Sequence, residues 1–244
     1  MKSAWWAELV KIATVRGQWI SAVLATLAIP LASFLVVSTG GLSPGESSTS
    51  GAATGSMAGL LAFGVWSTTI ASGEYANGTM VLSLATVPRR LVLVAAKLLA
   101  VATTAGAGAV ISALAGLLIV LGVRAPDAHG IGNPASLVSI VVAVVTVAVL
   151  GASIGLITRS PSASIVIVAL ALLLPRAASG LLGGLEPWVV GASPDTVVTQ
   201  IVGGVQLPAS QTYPAGTWAA VLTMAAAAVV VAGGSALVFV RRDG

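Results

Sequence analysis

Residues 74–97, EYANGTMVLSLATVPRRLVLVAAK, form a polar, turn-rich break between two long apolar runs. Asn77-Gly78 reads as a turn, because both residue types tolerate a left-handed backbone. Thr79 stands where its hydroxyl can cap a helix. Met80, Val81, Leu82, Leu84 and Ala85 make that helix mostly apolar. Pro88 stops it, since proline lacks the N–H and disfavours helix in the residue before it. Arg89, Arg90 and, two turns later, Lys97 supply cations. A short apolar helix between cations either lies on a membrane surface or docks on another protein.

Composition sets the class of the flanking runs. The chain has 244 residues, 57% of them hydrophobic and 7% charged, against about 25% charged in soluble domains. It reads as an integral membrane protein. Cysteine is absent, so disulfides, thiolate metal sites and cysteine nucleophiles are excluded. One histidine and scattered carboxylates do not make a metal centre, which needs several convergent ligands. The net charge of +4 is a matter of which membrane side holds the cations, not of nucleic acid. A P-loop needs Gly-Lys-Ser/Thr, whereas Lys2, Lys11 and Lys97 follow Met1, Val10 and Ala96. If ATP drives this protein, another chain binds it.

A span needs roughly 20 apolar residues. Six stretches qualify: Gln18–Ser38 with Pro30 bending it, Met57–Ser72 continuing to Glu74, about Val92 to Gly122, Ser136–Ile157, a fifth that starts at Pro161 in the tight connection Thr158–Ser162 and reaches about Leu182, and Thr217–Val240. The Gly/Ser-rich stretch Thr39–Ser56 reads as a flexible loop, and Thr196–Val202 as a short helix in a long loop. The expected fold is all-α and six-spanning, a single domain over 1–244, because strands of a barrel do not accommodate such long apolar runs.

Before the first span, Trp5, Leu9 and Ile12 share one helical face, with Glu8 and Lys11 assigned to the other. Residues 1–16 therefore read as an amphipathic interfacial helix with Trp5 and Trp6 as anchors. No cleavable signal pattern is evident there. Lys2, Lys11, Arg16, Arg89, Arg90, Lys97, Arg159, Arg241 and Arg242 fall on one side of a six-span layout. The positive-inside rule then puts both termini and the 74–97 break in the cytoplasm.

Glu74 closing a span, Gly78-Thr79, a short apolar helix, Pro88-Arg89-Arg90, the later Lys97 and the closing Arg241-Arg242-Asp243 together resemble the permease subunits of type-two ATP-binding-cassette exporters. The resemblance implies that residues 74–90 are a cytoplasmic coupling segment, with Glu74, Gly78, Thr79, Met80, Leu82, Leu84, Arg89 and Arg90 engaging an ATPase. It further implies two copies of that ATPase carrying ATP and Mg, a second permease subunit (identical or related), export across the plasma membrane, and no cofactor on this chain. Few polar residues face any plausible lumen, which points to an amphipathic or lipid-like cargo.

Three local features carry alternatives. Glu74 is either a helix-end carboxylate paired with Arg89, Arg90 or the N-terminal lysines, or a contact that transmits movement to the coupling helix. Arg176 sits roughly 24 Å into the fifth span, counting about 1.5 Å per residue from Ser160. It is a candidate gate or substrate contact, or a cation that snorkels beyond a break at Pro175. Gly151-Ala152-Ser153-Ile154-Gly155 matches the G-x-S-x-G pattern of hydrolases. That elbow requires a strand-to-helix turn, and a Ser153–His129 pair would be separated by most of the bilayer, so the glycines read as helix-packing positions. A stand-alone carrier or channel is the rival for the whole chain. It is disfavoured because no carboxylate falls near mid-membrane. A non-transporting scaffold would use the same small-residue packing without coupling to ATP.

Overall fold

The computed structural model describes residues 1–41, 47–87, 89–123, 130–202 and 207–242. Pro88, His129 and Asp243, on which parts of the sequence reading rest, lie outside the described residues. The described residues are helical with no strand. The helices are α1 (Lys2–Thr14), α2 (Arg16–Ser38), α3 (Ser48–Ala53), α4 (Ser56–Ala76), α5 (Met80–Thr86), α6 (Arg90–Val123), α7 (Ala135–Thr158), α8 (Pro161–Ala177), α9 (Glu186–Val189), α10 (Pro194–Val202) and α11 (Thr217–Arg242).

Among the described residues four helices, α2, α6, α7 and α11, are long and apolar enough to cross a membrane. The other two expected spans form but differ in kind. Helix α8 is apolar and has 17 residues, ending soon after Pro175. Helix α4 has 21 residues diluted by Ser, Thr and Gly. Its composition matches its position, because α4 packs against α2, α7 and α8 and buries much of its length. Phe63, Trp66 and Ile70 are buried, as are Ser67, Thr68 and Ser72. Those three hydroxyls donate to carbonyls of α4 itself, so their burial leaves no unmet donor.

Two expectations need correction. The Gly/Ser-rich stretch is not simply flexible, because its residues 47–55 contain α3. Ser47 caps that helix by accepting from the Ser50 N–H. All of α3 is buried, against α6 and α7 among others. Small residues there serve close approach rather than mobility. Helix α1 forms as a separate helix, broken from α2 by the extended Val15, but its inward face is Ala4, Glu8 and Ile12. Glu8 is thus on the packed side, not the opposite one. Trp6 is exposed and Trp5 half-buried against the core.

Candidate coupling site

The chain brings its charges together at one end of the bundle. Helix α4 ends at Ala76, and Gly78 turns the chain with φ +69°, a conformation glycine adopts without the Cβ penalty. Helix α5 then runs from Met80 to Thr86, and α6 begins at Arg90. Thr79 holds the N-cap position, but its hydroxyl lies 3.4 Å from the Glu74 carbonyl and caps nothing. The Thr79 backbone carbonyl starts the helix by accepting from Leu82 and Ser83.

Four ionised side chains from α1, α4 and α6 meet behind α5. The Lys97 ammonium, 1% exposed, donates to Glu8 Oε2 and Glu74 Oε1, both at 2.8 Å. Lys11 donates to Glu8 Oε1 at 2.7 Å and Glu74 Oε1 at 3.0 Å. Ser83, on the inner face of α5, donates to Glu74 Oε2 at 3.2 Å and lies 3.1 Å from the Lys11 Nζ. Two carboxylates face two ammonium groups, so the cluster is neutral as a unit. Every carboxylate oxygen in it is engaged. That is the condition under which buried charge is tolerated.

Burial works against the Lys11 charge, but Glu8 and Glu74 more than offset it, and its pKa is raised above 10.5. A lysine with a raised folded-state pKa contributes stability that is fully present below its ordinary value. That contribution is lost only as the pH rises through the folded value. The Lys11 contacts therefore persist unchanged through neutral pH.

Of the two readings of Glu74, the structure shows the pairing with the N-terminal helix. Glu74 pairs with an N-terminal lysine, and it also holds α5 through Ser83. Arg89 and Arg90 are not its partners: Arg89 is exposed, and Arg90 donates to the Val240 carbonyl at 3.3 Å, tying α6 to α11. Met80 is buried beneath α5, so it is not available to a partner as the sequence reading had it. Leu84 is half-buried against the core. The outward face is Val81, Leu82 and Ala85, with Val81 and Leu82 about 70% exposed.

The sequence reading missed Glu8 as a member and gave Lys97 no partner. A signal existed. A lysine in the apolar run of α6 demands a counter-ion, and Glu8 stands three residues before Lys11, a spacing that pairs them on a helix. At the opposite end of the bundle Arg176 stands in the last turn of α8, largely exposed and paired with Asp195 of α10. The two line a cavity of about 280 Å³ with Ser50 and Thr196. Pro175 lies inside α8 rather than breaking it earlier.

The small-residue pattern on α7 is also placed. Gly151 and Gly155 face α4, and Ser153 is buried with its hydroxyl donating to the Val149 carbonyl at 2.7 Å. Ser153 sits mid-helix, without the strand-to-helix turn a nucleophile elbow needs.

No curated protein matches the chain. A family model for "ABC-2 family transporter protein" matches residues 4–175, a range that runs from α1 into the last turn of α8 and holds all four charged residues of the cluster. The chain therefore belongs to the ABC-2 family of transporter proteins, as a membrane component of such a transporter.

Proposed function

We propose that this chain is a six-span permease subunit of an exporter, driven by two copies of a separate ATPase that bind ATP and Mg. In this reading α4 and α8 cross the membrane with the four more apolar helices, which the burial of α4 supports. Helix α1 lies at the membrane interface with Trp5 and Trp6 at the headgroups. The end carrying the charge cluster, both termini and α5 faces the cytoplasm, as the cation asymmetry favours. A second permease subunit completes the path, and Arg176 with Asp195 gates its far end.

The observation that carries this reading is the mechanical position of α5. Its outer face offers Val81 and Leu82 to a partner. Its inner face is bound through Ser83 to a cluster that joins α1, α4 and α6. Force applied to α5 by a closing ATPase dimer thus reaches three helices at once, as a population shift between two packings requires.

The test is Leu82→Asp, which leaves the cluster intact. Burying an unpaired carboxylate is costly, so the ATPase is expected to be lost on co-purification and ATP turnover in lipid nanodiscs to fall to background. Arg89→Gln is expected to be milder and salt-dependent, as for a screened rim charge. Unchanged ATPase stoichiometry and turnover in both Leu82→Asp and Val81→Asp would remove α5 from the coupling role.

Orientation has its own check, since single cysteines can be added to a chain that has none. Asn77 and Ser210 are exposed at opposite ends of the bundle, while Ser50 is buried and unsuitable. Ser210→Cys is expected to react with an impermeant thiol reagent in intact cells, and Asn77→Cys only after permeabilisation. The reverse pattern would invert the assignment.

A further inference from the structure

A groove runs from the charge cluster into the bundle along the seam of α2 and α4. At the cluster end it opens into a cavity of about 770 Å³ whose walls include Lys11, Gln18, Glu74, Asn77 and Ser83. Deeper in, a second cavity of about 460 Å³ is lined by Leu24, Ala25, Ala58, Leu61, Ala62 and Trp66, among others. Ser21 and Thr69 line both, so the polar mouth and the apolar slot adjoin. From Thr69 to Ala58 the slot follows α4 for about 16 Å, at about 1.5 Å rise per residue.

The slot has a fixed floor. Trp66 is 1% exposed, stacks edge-on to Phe63, and donates from Nε1 to the Gln18 carbonyl at 3.2 Å. Beside it, Ala58 and Ala62 are small and half-buried, leaving room for a narrow apolar guest. The mouth has a polarity. Of the cluster's charges, Lys11 keeps 37% of its side chain exposed, while the Glu74 side chain is 9% exposed and that of Glu8 5%. The accessible charge is therefore cationic. Around it, the exposed Asn77 amide offers hydrogen-bond donors, while the Thr79 and Ser83 hydroxyls are directed at Glu74.

We propose that this groove binds a single-chain anionic amphiphile, with its headgroup at Lys11 and its acyl chain between α2 and α4. As a statement about cargo, it deepens the exporter reading and rests on it. As a statement about binding, it needs no ATPase, so failure of one is distinguishable from failure of the other. Because Thr79, Leu82 and Ser83 form part of the mouth, an occupant touches the same helix that the cluster holds.

The test uses the full chain in nanodiscs with lysophosphatidylglycerol carrying a photoreactive diazirine on its acyl chain, and the matched lysophosphatidylcholine. Labelled residues are mapped by peptide mass spectrometry. Labelling is expected within 21–25 and 58–69, with the anionic probe preferred about tenfold, the factor that 1.4 kcal/mol gives. Ala62→Trp fills the slot without touching the cluster and is expected to cut labelling about tenfold. Lys11→Gln combined with Glu8→Gln, which keeps the cluster neutral and the Lys97–Glu74 contact in place, is expected to abolish the headgroup preference while leaving acyl labelling in place. Equal labelling by the two probes in the unmodified chain would overturn the anionic assignment. Labelling spread over the exposed faces of α8 and α11, and indifferent to Ala62→Trp, would show surrounding lipid and overturn the site.

Discussion

Lys97→Met is expected to destabilise the folded chain by about 3–5 kcal/mol, the cost of removing one partner from a buried ion pair. The methionine fills the space of the lysine stem, so packing of α6 is little changed. What changes is charge. Glu8 and Glu74 are left with Lys11 alone, and two carboxylates that each accepted a hydrogen bond from Lys97 at 2.8 Å lose that partner. The diagnostic variant is Lys97→Met with Glu8→Gln. It restores neutrality, keeps the Lys11–Glu74 contact at 3.0 Å, and is expected to recover at least half of the lost stability. Such a positive coupling is the mark of residues in one network. Thermal unfolding in nanodiscs reads both variants. Independent, additive losses would show that the four side chains do not act as a unit. Ser83→Ala probes a separate point, because it leaves the charges balanced and frees α5. It is expected to leave stability nearly unchanged yet lower ATP turnover in the assembled transporter. Loss of stability with normal turnover would mean that Ser83 packs and does not couple.

How far the sequence foretold this arrangement depends on the kind of interaction. Length and hydropathy placed every long helix to within about two residues at most ends, since an apolar run of span length has few alternatives. The short helix Met80–Thr86 was legible from its turn and its apolar core. The facing of short or mixed segments was not. In α1 the pattern of Trp5, Leu9 and Ile12 suggested the buried stripe, yet Ala4 and Glu8 turn inward, because Lys97 on a distant helix supplies the counter-ion that makes Glu8 burial affordable. That partner stands 89 positions away, and no local periodicity reports it. Met80 misled for the converse reason. A methionine beside a turn is equally suited to a partner's groove or to its own core, and only the packing of α5 on α6 decides. Stretch 47–55 misled because Gly, Ser and Ala serve both mobile loops and tight packing.

The same ambiguity sharpens the second large effect, at Gly151 and Gly155. Leucine at either position is expected to destabilise the chain by about 3 kcal/mol or more, at or beyond the upper end of overpacking costs. A Cβ alone at Gly151 would lie 2.3 Å from Ser67 Oγ and 2.8 Å from the Gly64 carbonyl oxygen. At Gly155 it would meet Ala71 Cβ and the Thr68 carbonyl oxygen, each at 2.9 Å. A serine hydroxyl can rotate away, but the backbone of α4 cannot, so α7 must move off α4. Insertion is expected to survive, because leucine only raises the hydropathy of the span, while thermal stability in detergent falls. Gly155→Ala is the graded case, and Ala71→Gly beside it is expected to recover part of the loss by removing one of the two clashes. Gly234→Leu serves as the contrast, since a Cβ there meets nothing within 4 Å, and its melting temperature should stay close to that of the parent. Ser153→Ala separates packing from chemistry. The hydroxyl donates only within its own helix, so its removal is expected to cost little stability and no activity. Loss of transport with stability intact in Ser153→Ala would sink the packing account of this segment and return Ser153 to consideration as a reactive group.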